Sequence, residues 1–427
     1  MKAKLIAQIF NNSLIYIVAN IINAALPLAL MPILTRILSP TEYAQIAMFQ
    51  AVVGVGLGIV GFNTVSATGR QYYEHKLEKE KLSIYIGNAT LIMLISVAVC
   101  IIFIWLGSRE LERATDLSIW GIYGALAICV GTFFIQLQLV QWQVRGLARR
   151  YAVLQIVVAA ATAGAIVVLV VLYRWGVWGR ISAQIGSSVI FGLLCLVYLR
   201  AEGMVTIQFD KAYFNDALRF GFPLINHTVG ALMLGVADRF ILKDQIGLPG
   251  LAQYVVAAQI ASGLGLVYDA INKAYTPWLF EKLKKNVRSE KRNIVIITYF
   301  YFVGTVLFAT AAAICGGWLI KIIAGEKYAD AATLIGIMVY GQSLFAMYLM
   351  VTNYVFYAKR TVSLGLVSLA AGFFNIGLLF LFSHFWGATG AAVAWSVAMG
   401  ARFLGTWAIA QRSHPMPWFS LGKPSAV

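Results

Sequence analysis

The chain has 427 residues, 60% of them hydrophobic, and a mean hydropathy of +0.80. Soluble domains are about 45–50% apolar, so this composition excludes an ordinary water-soluble globule. A formal charge of +16 would suggest nucleic acid in a soluble protein, but here the basic residues sit in short loops between apolar runs. There they report membrane orientation, and no nucleic-acid partner is expected.

The apolar runs Leu14–Leu34, Ile84–Leu106, Ala152–Tyr173, Ile294–Leu319 and Ser363–Phe382 are the clearest. Each reaches the roughly 20 residues that cross a hydrocarbon core as a helix. Helices are required because backbone groups in lipid must bond within their own segment. Twelve spans are predicted: 11–36, 43–68, 83–107, 118–141, 151–173, 178–199, 219–243, 250–277, 294–320, 329–357, 361–384 and 388–410. The first is too long for a signal peptide, has no small-residue cleavage site and runs on into another span. With the N-terminus inside, roughly two-thirds of the Lys and Arg residues fall on the cytoplasmic side, as the positive-inside rule requires. The richest loop, Glu281–Arg292, reads as a topogenic stop in contact with lipid headgroups.

The predicted fold class is an all-α polytopic membrane protein with about 12 transmembrane helices in two six-helix lobes. The lobes are residues 1–199 and 219–411, joined by a cytoplasmic linker at 200–218 and followed by a cytoplasmic tail at 412–427. Tyr213–Arg219 could form a short interfacial helix in the linker. A gap-free repeat supports two copies of one bundle. Pro40, Gln50, Gly54, Gly56, Leu57 and Asn63 recur 209 residues later as Pro249, Gln259, Gly263, Gly265, Leu266 and Asn272. Many transporters are built from such repeats. Prolines at 27, 32 and 223 are expected to kink their helices. Cys100, Cys129, Cys195 and Cys315 form no paired motif and read as buried small apolar residues.

Charges inside spans are few and costly, at least about 2.5–3.5 kcal/mol each on insertion scales, so they are candidates for function. Asp269 and Lys273 are four residues apart and share a helix face in the favourable order. They read either as a self-neutralising pair or as a site for an anionic group, a sugar or a coupling ion. Asp238 and Arg239 are adjacent, so on a regular helix their side chains diverge by about 100° and should not pair face to face. His227 and Asp238 share one stripe of span seven and could couple transport to protons. Arg402 lies in span twelve. Span four ends in Gln136, Gln138, Gln141, Trp142, Gln143 and Arg145, which read as an interfacial fringe or, alternatively, as a polar inner mouth. Arg70, Tyr72, Tyr73 and Glu74 close span two on the same side. There is no phosphate-binding loop, metal-ligand set or nucleophile–base pair. No cofactor is expected, and proton or sodium coupling remains open.

Asn20 and Asn23 precede the phrase Pro32-Ile-Leu-Thr-Arg36-Ile-Leu-Ser-Pro-Thr-Glu-Tyr43 at the end of the first span. This opening resembles the polysaccharide transporter family, whose members include bacterial O-antigen and exopolysaccharide flippases. Ala44 stands where the family usually has glycine. Ala237-Asp238-Arg239-Phe240-Ile241-Leu242 resembles a further family phrase in helix seven. The resemblance implies a twelve-helix fold similar to lipid II flippases and to multidrug and toxic-compound extruders. It implies alternating-access transfer of an undecaprenyl-diphosphate-linked oligosaccharide from the cytoplasmic to the periplasmic leaflet of the bacterial inner membrane, with both termini cytoplasmic. The product would be O-antigen, capsule or exopolysaccharide, and a polymerase and a chain-length regulator are implied partners. Arg239, Lys273, Arg36 and Arg402 would attract the diphosphate or acidic sugars, with Asp238, Asp269, Asn63, Asn272 and Arg70 along the path. The alternative reading is a cation-coupled multidrug exporter. A membrane-embedded transferase would need acids facing a membrane surface, and none is convincing.

Overall fold

The computed structural model describes residues 2–74, 78–285 and 287–418. The described residues contain helices and connections but no strand. The first helices are α1 (Lys2–Ile37), α2 (Pro40–Ile59), α3 (Thr64–Glu74), α4 (Lys79–Leu106), α5 (Ser108–Thr115) and α6 (Ile119–Val144). They are followed by α7 (Ala148–Ile166), α8 (Gly176–Ala201), α9 (Lys211–Gly235), α10 (Ala237–Lys285), α11 (Arg288–Ile323), α12 (Ala331–Tyr357) and α13 (Thr361–Ser413).

Among the described residues, ten helices are long and apolar enough to cross a membrane, so the chain is a multi-pass membrane protein. Two of them are far longer than the roughly 20 residues one crossing needs: Thr228–Lys285 has 58 residues and Val362–Ser413 has 52. Each is interrupted by a glycine at positive φ, Gly247 in α10 and Gly387 in α13. Such a backbone suits glycine because no Cβ opposes it. Taking the arms on either side of these glycines separately gives the twelve expected crossings.

Local sequence explains where the second crossing starts. Ser39 caps α2 by accepting the Glu42 N–H at 3.2 Å, while the Glu42 carboxylate accepts the Ser39 N–H at 2.8 Å. Pro40 sits at the first helical position. This reciprocal capping box satisfies two otherwise orphaned donors.

The chain divides into two compact units, one ending at Leu232 and the other starting at Met233. The stretch read as a linker is packed on the first unit. Thr206 N–H donates to the Ser83 carbonyl at 3.1 Å, and the Asn88 side chain spans the Gln208 carbonyl and the Asp210 N–H at 2.9 and 3.0 Å. Tyr213–Arg219 is part of the continuous α9 rather than a separate helix.

In the first unit α6 is the axis. Ile128, Phe133 and Leu137 of α6 pack with Phe49 and Val53 of α2, Ile86 and Met93 of α4, and Ile181 and Leu199 of α8. α6 and α8 touch backbone to backbone: a Cβ on Gly131 would lie 2.1 Å from the Ser188 carbonyl oxygen, and one on Gly192 would lie 2.5 Å from the Gly131 Cα. Small residues allow this approach where no hydrophobic force draws helices together in lipid. In the second unit α12 is the axis, with Met347, Met350, Val351 and Tyr354 against Leu279, Val295, Phe302 and Phe403. The last described residue packs on this core. Trp418 is buried against Tyr299, Tyr354 and Trp407, and its carbonyl accepts the Tyr299 hydroxyl at 2.8 Å. Of the cysteines, Cys129 and Cys195 are buried as expected, Cys100 is half-buried, and Cys315 is exposed on the apolar face of α11.

Gly131→Val should therefore lower stability by about 1–3 kcal/mol, because overpacking forces two backbones apart. Thermal melting of the purified protein in detergent checks this. Gly164→Val, where a Cβ meets nothing within 4 Å, is the control and should melt close to the parent.

Candidate functional site

Polar groups in the first unit collect around Asp216, which sequence reasoning missed. Its carboxylate accepts from the Arg70 guanidinium, from Gln71 Nε2 at 3.0 Å and from the Tyr85 hydroxyl at 2.8 Å. Arg70 also stacks 4.6 Å from the Phe220 ring centroid. Arg70 and Gln71 lie in α3, Tyr85 in α4, and Asp216 in α9, so one carboxylate clasps three helices. More than 130 residues separate Asp216 from each partner, and no local spacing could have announced the cluster.

Asn63 sits in a break between α2 and α3. Gly61, Phe62 and Asn63 all have positive φ. The Gly61 N–H freed by the turn donates to Ser96 Oγ at 3.0 Å, and Asn63 Nδ2 reaches Thr228 Oγ1 at 3.4 Å. Asn is among the few side chains that tolerate left-handed backbone, so the turn explains this residue. Arg36 is exposed in the last turn of α1.

The glutamines of span four divide in two. Gln136 and Gln143 are exposed, but Gln138 and Gln141 are buried in the first unit, each only 1% exposed. The fringe reading fails for this inward pair. Gln141 donates to Thr68 Oγ1 at 3.2 Å, while neither amide atom of Gln138 has a hydrogen-bond partner. Nearby, Gln71, Tyr72, Glu78, Lys79, Leu82, Arg145, Ala201, Glu202 and Met204 line a cavity of about 500 Å³. Arg180 is held inside the unit. Its Nη1 donates to Gln184 Oε1 at 2.8 Å, and the same oxygen accepts Gln50 Nε2 at 2.6 Å. The signal available was the lack of an acid within one turn of Arg180.

In the second unit Asp238 is 6% exposed and belongs to the first turn of α10, just past a break at Val236. It accepts the Arg239 N–H at 2.8 Å and the buried Tyr254 hydroxyl. The expectation that Asp238 and Arg239 diverge is corrected: their charged atoms are 3.8 Å apart. The 100° rule applies to regular helix, and here the helix restarts. Arg239 also donates back to the Gly235 carbonyl. The pair thus satisfies backbone groups exposed by the break. The side chain of His227 lies outside the described residues.

Asp269 and Lys273 pair as expected, at 2.6 Å, on an exposed face of α10, with Lys273 53% and Asp269 40% exposed. Next to them Asn272 Oδ1 accepts Asn353 Nδ2 at 2.8 Å, and Thr276 Oγ1 donates to Asn353 Oδ1 at 3.2 Å, joining α10 to α12. Arg402 lies under the Tyr348 ring, 4.0 Å from its centroid, and donates to Tyr348 Oη at 3.0 Å and Ser368 Oγ at 3.1 Å. Its Nε is buried without a hydrogen-bond partner, and among the described residues it joins no ion pair. The candidate residues therefore form separate groups rather than one cluster. Asp269, Lys273 and Asn272 lie together, Asp238 and Arg239 cap a break, and Arg402 is a solitary interior cation.

Residues 9–283 match the family model described as polysaccharide biosynthesis protein. The chain belongs to that family. A curated relative, the putative O-antigen transporter of Shigella flexneri, is 22% identical over 282 residues, 64% of this chain and 65% of that one. Two solved structures share the fold. Lipid II flippase MurJ, in an inward closed conformation, has a TM-score of 0.72 at 13% identity, over 94% of this chain and 87% of its own. An inward-facing multidrug resistance MATE transporter of the MOP superfamily has a TM-score of 0.67 at 14% identity, over 92% and 93%. The fold is thus shared with a lipid flippase and a multidrug transporter.

Asp216→Ala leaves three donors without their acceptor, which should cost about 1–3 kcal/mol. It should also loosen the α9 end, seen as lower melting temperature and faster tryptic cleavage at Arg200 and Lys211 in membrane vesicles. Asp269→Asn, in an exposed pair worth about 0.3–0.5 kcal/mol, should leave both readouts near the parent.

Proposed function

We propose that the protein is a flippase that carries an undecaprenyl-diphosphate-linked oligosaccharide from the cytoplasmic to the periplasmic leaflet of the bacterial inner membrane by alternating access. It would serve the assembly of a surface polysaccharide such as O-antigen, capsule or exopolysaccharide, with both termini in the cytoplasm. Membership of a polysaccharide biosynthesis family and a fold like that of MurJ support this reading.

The observation that carries it is the placement of charge in the second unit. An exposed Asp269–Lys273 pair contributes about 0.5 kcal/mol or less to stability, whereas each charge in a span costs several times that to insert. The pair is a net cost to the fold and cannot face lipid, so it belongs on a polar path. Arg402 is more demanding still, an interior guanidinium whose described partners, Tyr348 and Ser368, are neutral. Its positive field is uncompensated and suits a diphosphate or an acidic sugar, which guanidinium binds through paired N–H groups. Asn272 and Asn353 add amides suited to sugar hydroxyls. Arg70, Arg239, Asp238 and Asn63 act here by shaping the helices around the path. No enzymatic step is required of any residue. A proton or sodium ion could be coupled through Asp269.

A deletion strain should lose surface polysaccharide and accumulate the lipid-linked repeat unit on the inner leaflet. Normal glycan, in a strain without a redundant flippase, refutes the proposal. On complementation, Lys273→Ala and Arg402→Ala should each lower polymer output on the order of tenfold, about 1.4 kcal/mol, at parental levels of membrane protein. Ethidium efflux should be unchanged throughout; an efflux defect with intact glycan would favour the multidrug reading.

A further inference from the structure

The cavity of the first unit has a lining that phosphate and drug cations do not explain. Two acids, Glu78 and Glu202, and two bases, Lys79 and Arg145, surround it, with Gln71 and Tyr72 beside an apolar floor of Leu82, Ala201 and Met204. The charges are largely occupied with each other. Glu78 pairs with Lys81, Arg145 lies 3.5 Å from Glu202, and Tyr198 hydrogen-bonds Glu202. An anion would meet the two carboxylates, and a cation would meet Lys79 and Arg145. Gln71, only 4% exposed, has an Oε1 with no hydrogen-bond partner, and Glu202 Oε2 has none beyond its 3.5 Å ion pair with Arg145 Nη1. Acceptors left short of hydrogen bonds are costly, so the cavity favours a neutral ligand that brings hydroxyl donors. Small-molecule sites of about 300–1,000 Å³ with a mostly apolar lining and a few convergent polar groups are the usual form.

We infer that this cavity binds an uncharged sugar ring of the lipid-linked substrate, with Tyr72, Leu82 and Met204 against its C–H face and Gln71 and Glu202 accepting from its hydroxyls. The inference rests on the flippase reading above. The cavity lies where the ends of α3, α6 and α8 meet the start of α4, the end rich in basic residues, where that reading places the cytoplasm. Gln71 ties occupancy to the fold, because its Nε2 donates to Asp216 of α9 while its Oε1 is left for the sugar. A bound hydroxyl would polarise that amide and strengthen its hold on Asp216.

The test uses the full chain in lipid nanodiscs and saturation-transfer difference NMR. The probes are methyl β-D-glucoside, methyl β-D-galactoside and methyl N-acetyl-β-D-glucosaminide, with inorganic pyrophosphate and tetraphenylphosphonium as competitors. At least one glycoside should receive saturation at its ring protons, and neither competitor should displace it. A farnesyl-diphosphate-linked form of the same sugar should displace it. Glu202→Gln and Gln71→Leu should each cut the transfer at least fivefold, and Leu82→Trp, which fills the cavity, should abolish it in protein that melts like the parent. No transfer to any glycoside, transfer unchanged in folded Leu82→Trp, or displacement by pyrophosphate overturns the inference. Loss of surface glycan in the deletion strain without glycoside binding removes the cavity assignment alone. Glycoside binding that the lipid-linked sugar does not displace removes the link to the substrate.

Discussion

Backbone amides in hydrocarbon have no water to bond, and every interruption of a helix must find its partners inside the protein. The structure is organised around that constraint. The break at Gly61 hands its freed N–H to Ser96. The break at Val236 is closed by Asp238 and by Arg239 reaching back to Gly235. The turns at Gly247 and Gly387 lie close together: a Cβ on Gly387 would sit 3.5 Å from Ile246, and Ser383 donates to Gln245 one helical turn away. Much of what looks like chemistry in the sequence is this backbone accounting.

The family phrase at the end of the first span illustrates the point. Ser39, Pro40 and Glu42 make a capping box at the start of α2, so this part of the phrase specifies a helix start. The Asp238–Arg239 phrase likewise specifies how a helix resumes. Residues that break no local rule and repair no backbone are the better functional candidates. Asp269, Lys273 and Arg402 are in that class.

The span pattern was legible because hydropathy and length constrain it directly, and breaks at Gly247 and Gly387 fall where loops were expected. The Asp269–Lys273 pair was legible because one helical turn fixes it. The Asp216 cluster and the Arg402–Tyr348–Ser368 contacts were not, since they join residues far apart in the chain through packing. The inward placement of Arg180 and of two glutamines was not legible for a related reason: near a span end, hydropathy cannot tell a polar side chain facing the headgroups from one facing its own bundle. The repeat holds a further lesson. Gly56 packs on Cys129 of α6, and its counterpart Gly265 packs on Gln342 of α12, so in each unit the same glycine meets the axial helix. Asn63 and Asn272 have parted company, one in a left-handed turn and the other in unbroken helix hydrogen-bonded to Asn353.

Only Leu38 and Ser39 separate α1 from α2. A connection that short leaves no room for one helix to enter the bilayer while the other waits outside it, and the capping box fixes its far side as soon as Glu42 has emerged from the ribosome. The first two crossings are therefore a single event of biogenesis, a hairpin delivered whole. A lesion at Ser39 or Glu42 would be registered by the insertion machinery and quality control long before any substrate met the finished protein.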